Sequence, residues 1–240
     1  TNTNTNKSVD DIDSGMYALN GALIGLFIGN FFGVTPLLAL VTALGALLTV
    51  PIAHIVFSFE KYRGYTSAFI LTTWLIYIIQ STFELSAFSA LMPLISIEAN
   101  SWFNLPTVVI PLLKGISQVS FIENALSGLV ILVAIALNNI KHAIWVMLAV
   151  IISTVFSGLI GASNELVAQG LYGYNAILAT LALVPYPRIR WPLILLGMLL
   201  SCLITLGFHE LSLLPLTAPF ILSTWGMVYL SSLIHKRTIS

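Results

Sequence analysis

Thr66-Ser67-Ala68-Phe69-Ile70-Leu71-Thr72-Thr73-Trp74 returns later in the chain, little changed, as Thr217-Ala218-Pro219-Phe220-Ile221-Leu222-Ser223-Thr224-Trp225. Upstream of each copy lies a second matching pair. Gly15-Met16-Tyr17-Ala18-Leu19-Asn20-Gly21-Ala22-Leu23 stands against Gly170-Leu171-Tyr172-Gly173-Tyr174-Asn175-Ala176-Ile177-Leu178. Two matched motifs in one order and at nearly one spacing indicate an internal duplication. In an apolar chain, a duplicated membrane half points to a transport path where the repeats meet.

The chain is that apolar. Hydrophobic residues make up 58 % of it and charged residues 8 %, with a mean hydropathy of +0.99. A soluble domain carries about 25 % charged residues, so this composition cannot cover a water-facing surface. Nine basic and nine acidic residues cancel, which gives no footprint for nucleic acid. Cys202 stands alone in an apolar run, where it reads as a small packing residue. Residues 1–14 are polar and lack the basic and apolar regions of a signal peptide.

A membrane helix needs about 20 mostly apolar residues. Candidates lie at 16–34, 35–58, 65–83, 119–138, 142–163, 168–186, 191–208 and 216–235. The stretch from Glu84 to Lys114 is broken by Pro93, Pro106 and Pro111. It reads as a long connection with short interfacial helical pieces, anchored by Trp102 and Phe103. If all eight candidates span, Lys7, Lys61, Arg63, Lys141, Arg188, Arg190, Lys236 and Arg237 share one face, and Lys114 alone lies on the other. The positive-inside rule makes the shared face, with both termini, cytoplasmic. An odd number of segments then separates matched segments, so they cross in opposite directions. The expected fold is an all-α polytopic membrane protein of two inverted repeats. Residues 1–100 form the incomplete N-terminal repeat and connection, and 101–240 the C-terminal repeat.

Three clusters could carry chemistry. Gln118-Val119-Ser120-Phe121-Ile122-Glu123-Asn124-Ala125-Leu126-Ser127-Gly128 places polar groups at the edge of an apolar run, where burial is costly unless they are paired. Its bland reading is a helix cap at Asn124. The Gly-x-Tyr-x-x-Asn pair around Asn20 and Asn175 reads either as part of a path or as interhelical glue. Leu214-Pro215-Leu216-Thr217-Ala218-Pro219-Phe220 cannot continue a regular helix. Irregular backbone at membrane depth lines a cavity or is covered by protein, and the alternative is a simple helix start at Pro219.

Taken together, Leu214–Phe220, Gly170–Asn175 and the Gln-x-x-Phe-x-x-Asn-x-x-Ser-Gly run at 118–128 resemble the urea transporter family. The likeness covers the second half from about Leu112 and, more weakly, the first from about Asp10. It implies a channel-like path in each protomer of a homotrimer, in the inner membrane, with urea as permeant and no cofactor or metal. Urea passes flat between aromatic rings with its amides facing oxygens. The likeness assigns Gln118 to an amide contact, Phe121 and Tyr174 to the two ring faces of a slot mouth, Leu178 to the dry wall and Thr217 to the central hydroxyl. In the first half, Leu23 matches Leu178, Thr66 matches Thr217, and Leu19 takes the aromatic position. Such a lining suits a planar, neutral solute, selected by pore width and hydrogen-bonding groups.

Leu19 leaves one slot mouth without a ring, and the first half holds no copy of Gln118–Gly128. The chain thus reads as a fragment or a shortened gene product, and a non-conducting protein is one alternative. An ammonium-type or ion-coupled carrier is another, but it needs ionisable groups at mid-membrane, whereas His54, His142, His209 and His235 fall near segment ends. A membrane hydrolase would rest on Gly161-Ala162-Ser163-Asn164 with His209. There Ser163 closes a segment and Asn164 stands where such nucleophile motifs have glycine.

Overall fold

The computed structural model describes residues 12–59, 62–83, 106 and 108–239, and every regular element among them is helical. The protein is an all-α polytopic membrane protein. The chain divides into two compact units, residues 1–95 and 96–240. Trp102 and Phe103, the expected interfacial anchors, fall outside the described residues, as does the rest of the stretch from Glu84 to Leu105.

The first unit holds α1 (Met16–Phe32), α2 (Pro36–Phe57) and α3 (Ser67–Phe83). Helix α1 ends at Gly33, and the chain turns at once into α2, where Thr35 caps the start by accepting from the Leu38 N–H at 3.1 Å. Pro36 occupies the first turn, where its missing N–H costs nothing. The α1–α2 seam is built from small residues. A side chain added at Gly21 would meet Ala46 and one at Gly25 would meet Thr42, so Gly21-x-x-x-Gly25 lets the two backbones approach as small residues do in membrane helix pairs. Gly45 serves the same end on α2, packed against Ile24 of α1 and Ile76 of α3.

The second unit opens with α4 (Val109–Ser117), which runs into a single 3₁₀ turn at Gln118–Ser120. The chain reverses at Phe121, a non-glycine residue at φ +57°. It then enters α5 (Ala125–Asn138), which lies at 72° to the preceding piece. Next come α6 (Ile140–Leu159), the single-turn α7 (Asn164–Ala168), α8 (Gly173–Leu183), α9 (Trp191–Glu210) and α10 (Ala218–Ile239). Ile116 of α4, Val146 and Val150 of α6, Ala176 and Ile177 of α8, Met198 and Cys202 of α9 and Met227 of α10 form one buried core. Cys202 is a packing residue there, as its apolar setting predicts. Two close approaches fix the geometry. Gly128 of α5 lies on the Leu113 carbonyl, leaving no room for a Cβ. Gly170, at φ +78°, presses its backbone against Gly115 of α4.

Outward faces are apolar. Leu44 and Leu47 on α2 are 58 % and 67 % exposed and Leu137 on α5 is 85 % exposed, an arrangement that suits lipid as solvent. Eight full spans are expected from apolar run length, yet the helices are less uniform. Three of them, α2, α6 and α9, are long and apolar enough to cross a bilayer. The bent pair Val109–Ser120 and Ala125–Asn138 meets that test only together, as a broken span or a re-entrant loop. Met16–Phe32, Ser67–Thr82 and Gly173–Leu183 are apolar but shorter. An apolar run contains turns as readily as helix, so several helices are shorter than the runs that hold them. At the end of the stretch read as a connection with short helical pieces, Val109–Ser117 is such a piece, with Leu113, Gly115, Ile116 and Ser117 buried rather than at a surface.

Candidate permeation site

In each unit, an asparagine holds the start of the repeated motif, Thr66–Trp74 or Thr217–Trp225. Leu216 adopts φ +46°, a left-handed conformation that costs a non-glycine residue about 1–2 kcal/mol. Its carbonyl accepts from the Tyr174 hydroxyl at 2.6 Å and from Asn175 Nδ2 at 3.2 Å. Asn175 Oδ1 in turn accepts from the Phe220 N–H at 3.2 Å, one of the amides that a helix start leaves without a partner. The first unit repeats this arrangement. Tyr65 sits at φ +45°, its carbonyl accepts from Asn20 Nδ2 at 2.9 Å, and the Phe69 N–H donates to Asn20 Oδ1 at 2.8 Å. Both asparagines are fully buried. The carboxamide orientation follows from its neighbours, since only the oxygen can accept from an N–H and only the nitrogen can donate to a carbonyl.

The clamp leaves Thr66 and Thr217 as the residues that enter α3 and α10. Their carbonyls accept the first helical bonds, from Ile70 at 3.1 Å and from Ile221 at 3.3 Å. Both are buried, at the end of the helix where backbone N–H groups give a partial positive charge.

A second turn meets this one in the larger unit. Ser117 Oγ donates to the Ile122 carbonyl at 2.5 Å and accepts from the Asn124 N–H at 3.3 Å. Gln118 is buried, and its Nε2 donates to the Gln169 carbonyl at 3.2 Å. The Phe121 N–H closes the turn on the Gln118 carbonyl at 2.9 Å. The Phe121 ring then meets Tyr174 at a centroid distance of 6.3 Å and an angle of 63°. At the turn's exposed edge, Lys114 and Glu123 pair at 2.7 Å, a surface contact worth little in stability.

A family model described as urea transporter matches residues 3–232. The chain belongs to the urea transporter family. Among curated proteins it is 39 % identical over 67 residues to urea transporter 1 of Mus musculus, a stretch that covers 28 % of this chain and 17 % of that protein. It is 37 % identical to urea transporter 1 of Rattus norvegicus over 67 residues, with the same coverage. Against urea transporter 1 of Ovis aries it is 35 % identical over 74 residues, 31 % of this chain and 19 % of that protein. The matched stretches thus span under a fifth of these relatives' length.

Set against the residues expected for a urea transporter family member, the second unit links Gln118, Phe121 and Tyr174 in sequence and brings Tyr174 to the residue before Thr217. Gln118 and Phe121 share one turn, Phe121 meets Tyr174, and Tyr174 binds the carbonyl next to Thr217. Leu178 lies one helical turn beyond Tyr174 and is partly buried. Two details differ from parallel slot faces. The Phe121 and Tyr174 rings meet edge to face, and the tyrosine hydroxyl is engaged by the backbone. In the first unit Leu23 and Thr66 are buried, while Leu19 is 43 % exposed and offers neither ring nor hydroxyl. The Gln169 carbonyl was not legible in the sequence, because a backbone acceptor has no residue signature. Sequence reasoning also left the asparagines' role open, although their place in both halves was the available signal. Among the described residues, no three His, Cys, Asp or Glu side chains gather as metal ligands would.

Proposed function

We propose that this chain carries urea, or a close amide analogue, passively down its gradient across the inner membrane. Family membership and the buried, uncharged hydrogen-bonding groups support this reading. The observation that carries it is the run of contacts from Gln118 through Phe121 and Tyr174 to the Leu216–Thr217 corner, whose side chains are uncharged, with the Lys114–Glu123 pair kept to the exposed edge of the turn. Urea is flat and neutral, so it needs oxygens at its edges and apolar walls at its faces. In this reading Gln118 supplies an amide contact, Phe121 and Tyr174 the aromatic mouth, Leu23 and Leu178 the dry walls, and Thr66 and Thr217 the central oxygens, with Leu19 at the ringless mouth.

The working unit in this proposal is a homotrimer with one path per protomer, its two halves inverted in topology. Both termini are cytoplasmic, on the side of Arg63, Lys141, Arg188 and Arg190. Stopped-flow light scattering on proteoliposomes tests the transport. Urea permeability should exceed that of protein-free liposomes and should not respond to pH or sodium gradients. Permeability equal to the lipid background, or uptake that follows an ion gradient, contradicts the proposal.

A further inference from the structure

We infer that Asn20 and Asn175 are positioning residues of the path: each fixes a left-handed corner residue and the first turn of the next helix, and so sets where the Thr66 and Thr217 hydroxyls face the permeant. This rests on the transport reading above and adds residues to its machinery. The support is the recurrence of one hydrogen-bond pattern in two places. In each unit a single buried carboxamide donates to the carbonyl of the corner residue, Tyr65 or Leu216, and accepts from an amide four residues on, Phe69 or Phe220. The threonine lies between those two anchor points, directly after the corner. Neither corner residue is glycine, and both sit at φ near +45°, so something must hold them there. Simple helix glue would explain a buried asparagine reaching a neighbouring helix. It does not explain why both bonds grip the same corner, on either side of one threonine, in both units.

The halves differ in how the corner carbonyl is held. Tyr174 adds a second donor to Leu216. In the first unit the matching residue is Leu19, and Asn20 Nδ2 instead bridges the Tyr65 carbonyl to the Met16 carbonyl at 2.8 Å. The tyrosine hydroxyl is therefore part of the clamp and is separable from the tyrosine ring.

The test uses the full chain in proteoliposomes, with urea and N-methylurea as permeants, for Asn20→Ala, Asn175→Ala, Tyr174→Phe and the pair Asn20→Ala with Tyr65→Gly. Flux is scaled to the amount of folded protein. A lost cap is worth about 1 kcal/mol, so the half-saturating urea concentration or the urea to N-methylurea ratio should move by about fivefold in each asparagine variant. Tyr174→Phe should move it in the same direction, by less. Glycine adopts the left-handed corner without a clamp, so Tyr65→Gly should recover most of the loss at Asn20. Amide exchange at Phe69 and Phe220 should quicken in the matching asparagine variants. A packing role would lower the yield of folded protein and leave half-saturation and selectivity unmoved, and that result overturns the inference. If an asparagine variant does not fold, Tyr174→Phe decides, since it removes only a hydroxyl; unchanged selectivity there likewise overturns it. A wild-type chain without urea flux overturns the transport reading and this inference with it, whereas a conducting wild type with indifferent variants overturns this inference alone.

Discussion

Gln118, proposed as an amide contact of the path, also has a partner in the fold. Its side chain is buried and its Nε2 donates to the Gln169 carbonyl, one residue before the left-handed Gly170 that packs on α4. Gln118→Ala should therefore reduce urea flux and also lower the unfolding midpoint slightly, because a part-buried carbonyl loses a hydrogen bond worth about 1 kcal/mol. Flux measured alongside a thermal unfolding curve separates the two effects. Unchanged flux at full folding would remove Gln118 from the path. Thr217→Val probes the centre in the same way, and flux should fall because an isosteric methyl cannot accept from a urea amide. Residue types were legible in the sequence because the chain spends so few polar groups in apolar runs, and those it spends stand out. The engagement of Tyr174 by a backbone oxygen was not, since only the fold brings Leu216 to its hydroxyl.

Helix boundaries follow a similar logic at the scale of the element. The ends of α2, α6 and α9 lie close to the apolar runs that announce them, because polar caps and prolines mark them: Thr35 with Pro36, Asn139, and Pro192. The break between α4 and α5 lies at the start of the run read as a span over 119–138. Its signal was the Asn124 cap, whose Oδ1 accepts from the Ser127 N–H at 3.0 Å. Asn124→Ala should lower the unfolding midpoint by about 2–4 °C, the shift that a cap of about 1 kcal/mol gives in a chain of this size. Asn124→Ser should restore it. A larger penalty belongs to Gly170→Ala. It combines a left-handed φ with a methyl driven into the Gly115 backbone, and should cost about 3 kcal/mol. Size-exclusion chromatography after a heating series checks it; a monodisperse, wild-type profile would show that α4 and the Gly170 corner are not packed as described.

Over the whole molecule, the match between the two stretches of sequence has a chemical counterpart. The matched asparagines, the left-handed corners and the threonine helix starts recur in both units, whereas the Gln118–Gly128 turn occurs once among the described residues. Fold class was legible because 8 % charge in 240 residues leaves the bilayer as the only solvent. The number of crossings was not, because apolarity does not distinguish a full span from a half-length helix such as α8. The account as a whole predicts a neutral path with oxygens at its centre and no coupled ion. Its most direct test is the urea permeability of proteoliposomes holding this chain, compared between wild type and Thr217→Val at matched amounts of folded protein. The wild type should raise permeability well above bare lipid, independent of pH, and the variant should lose most of that increase. Equal permeability in wild type, variant and bare lipid would contradict it.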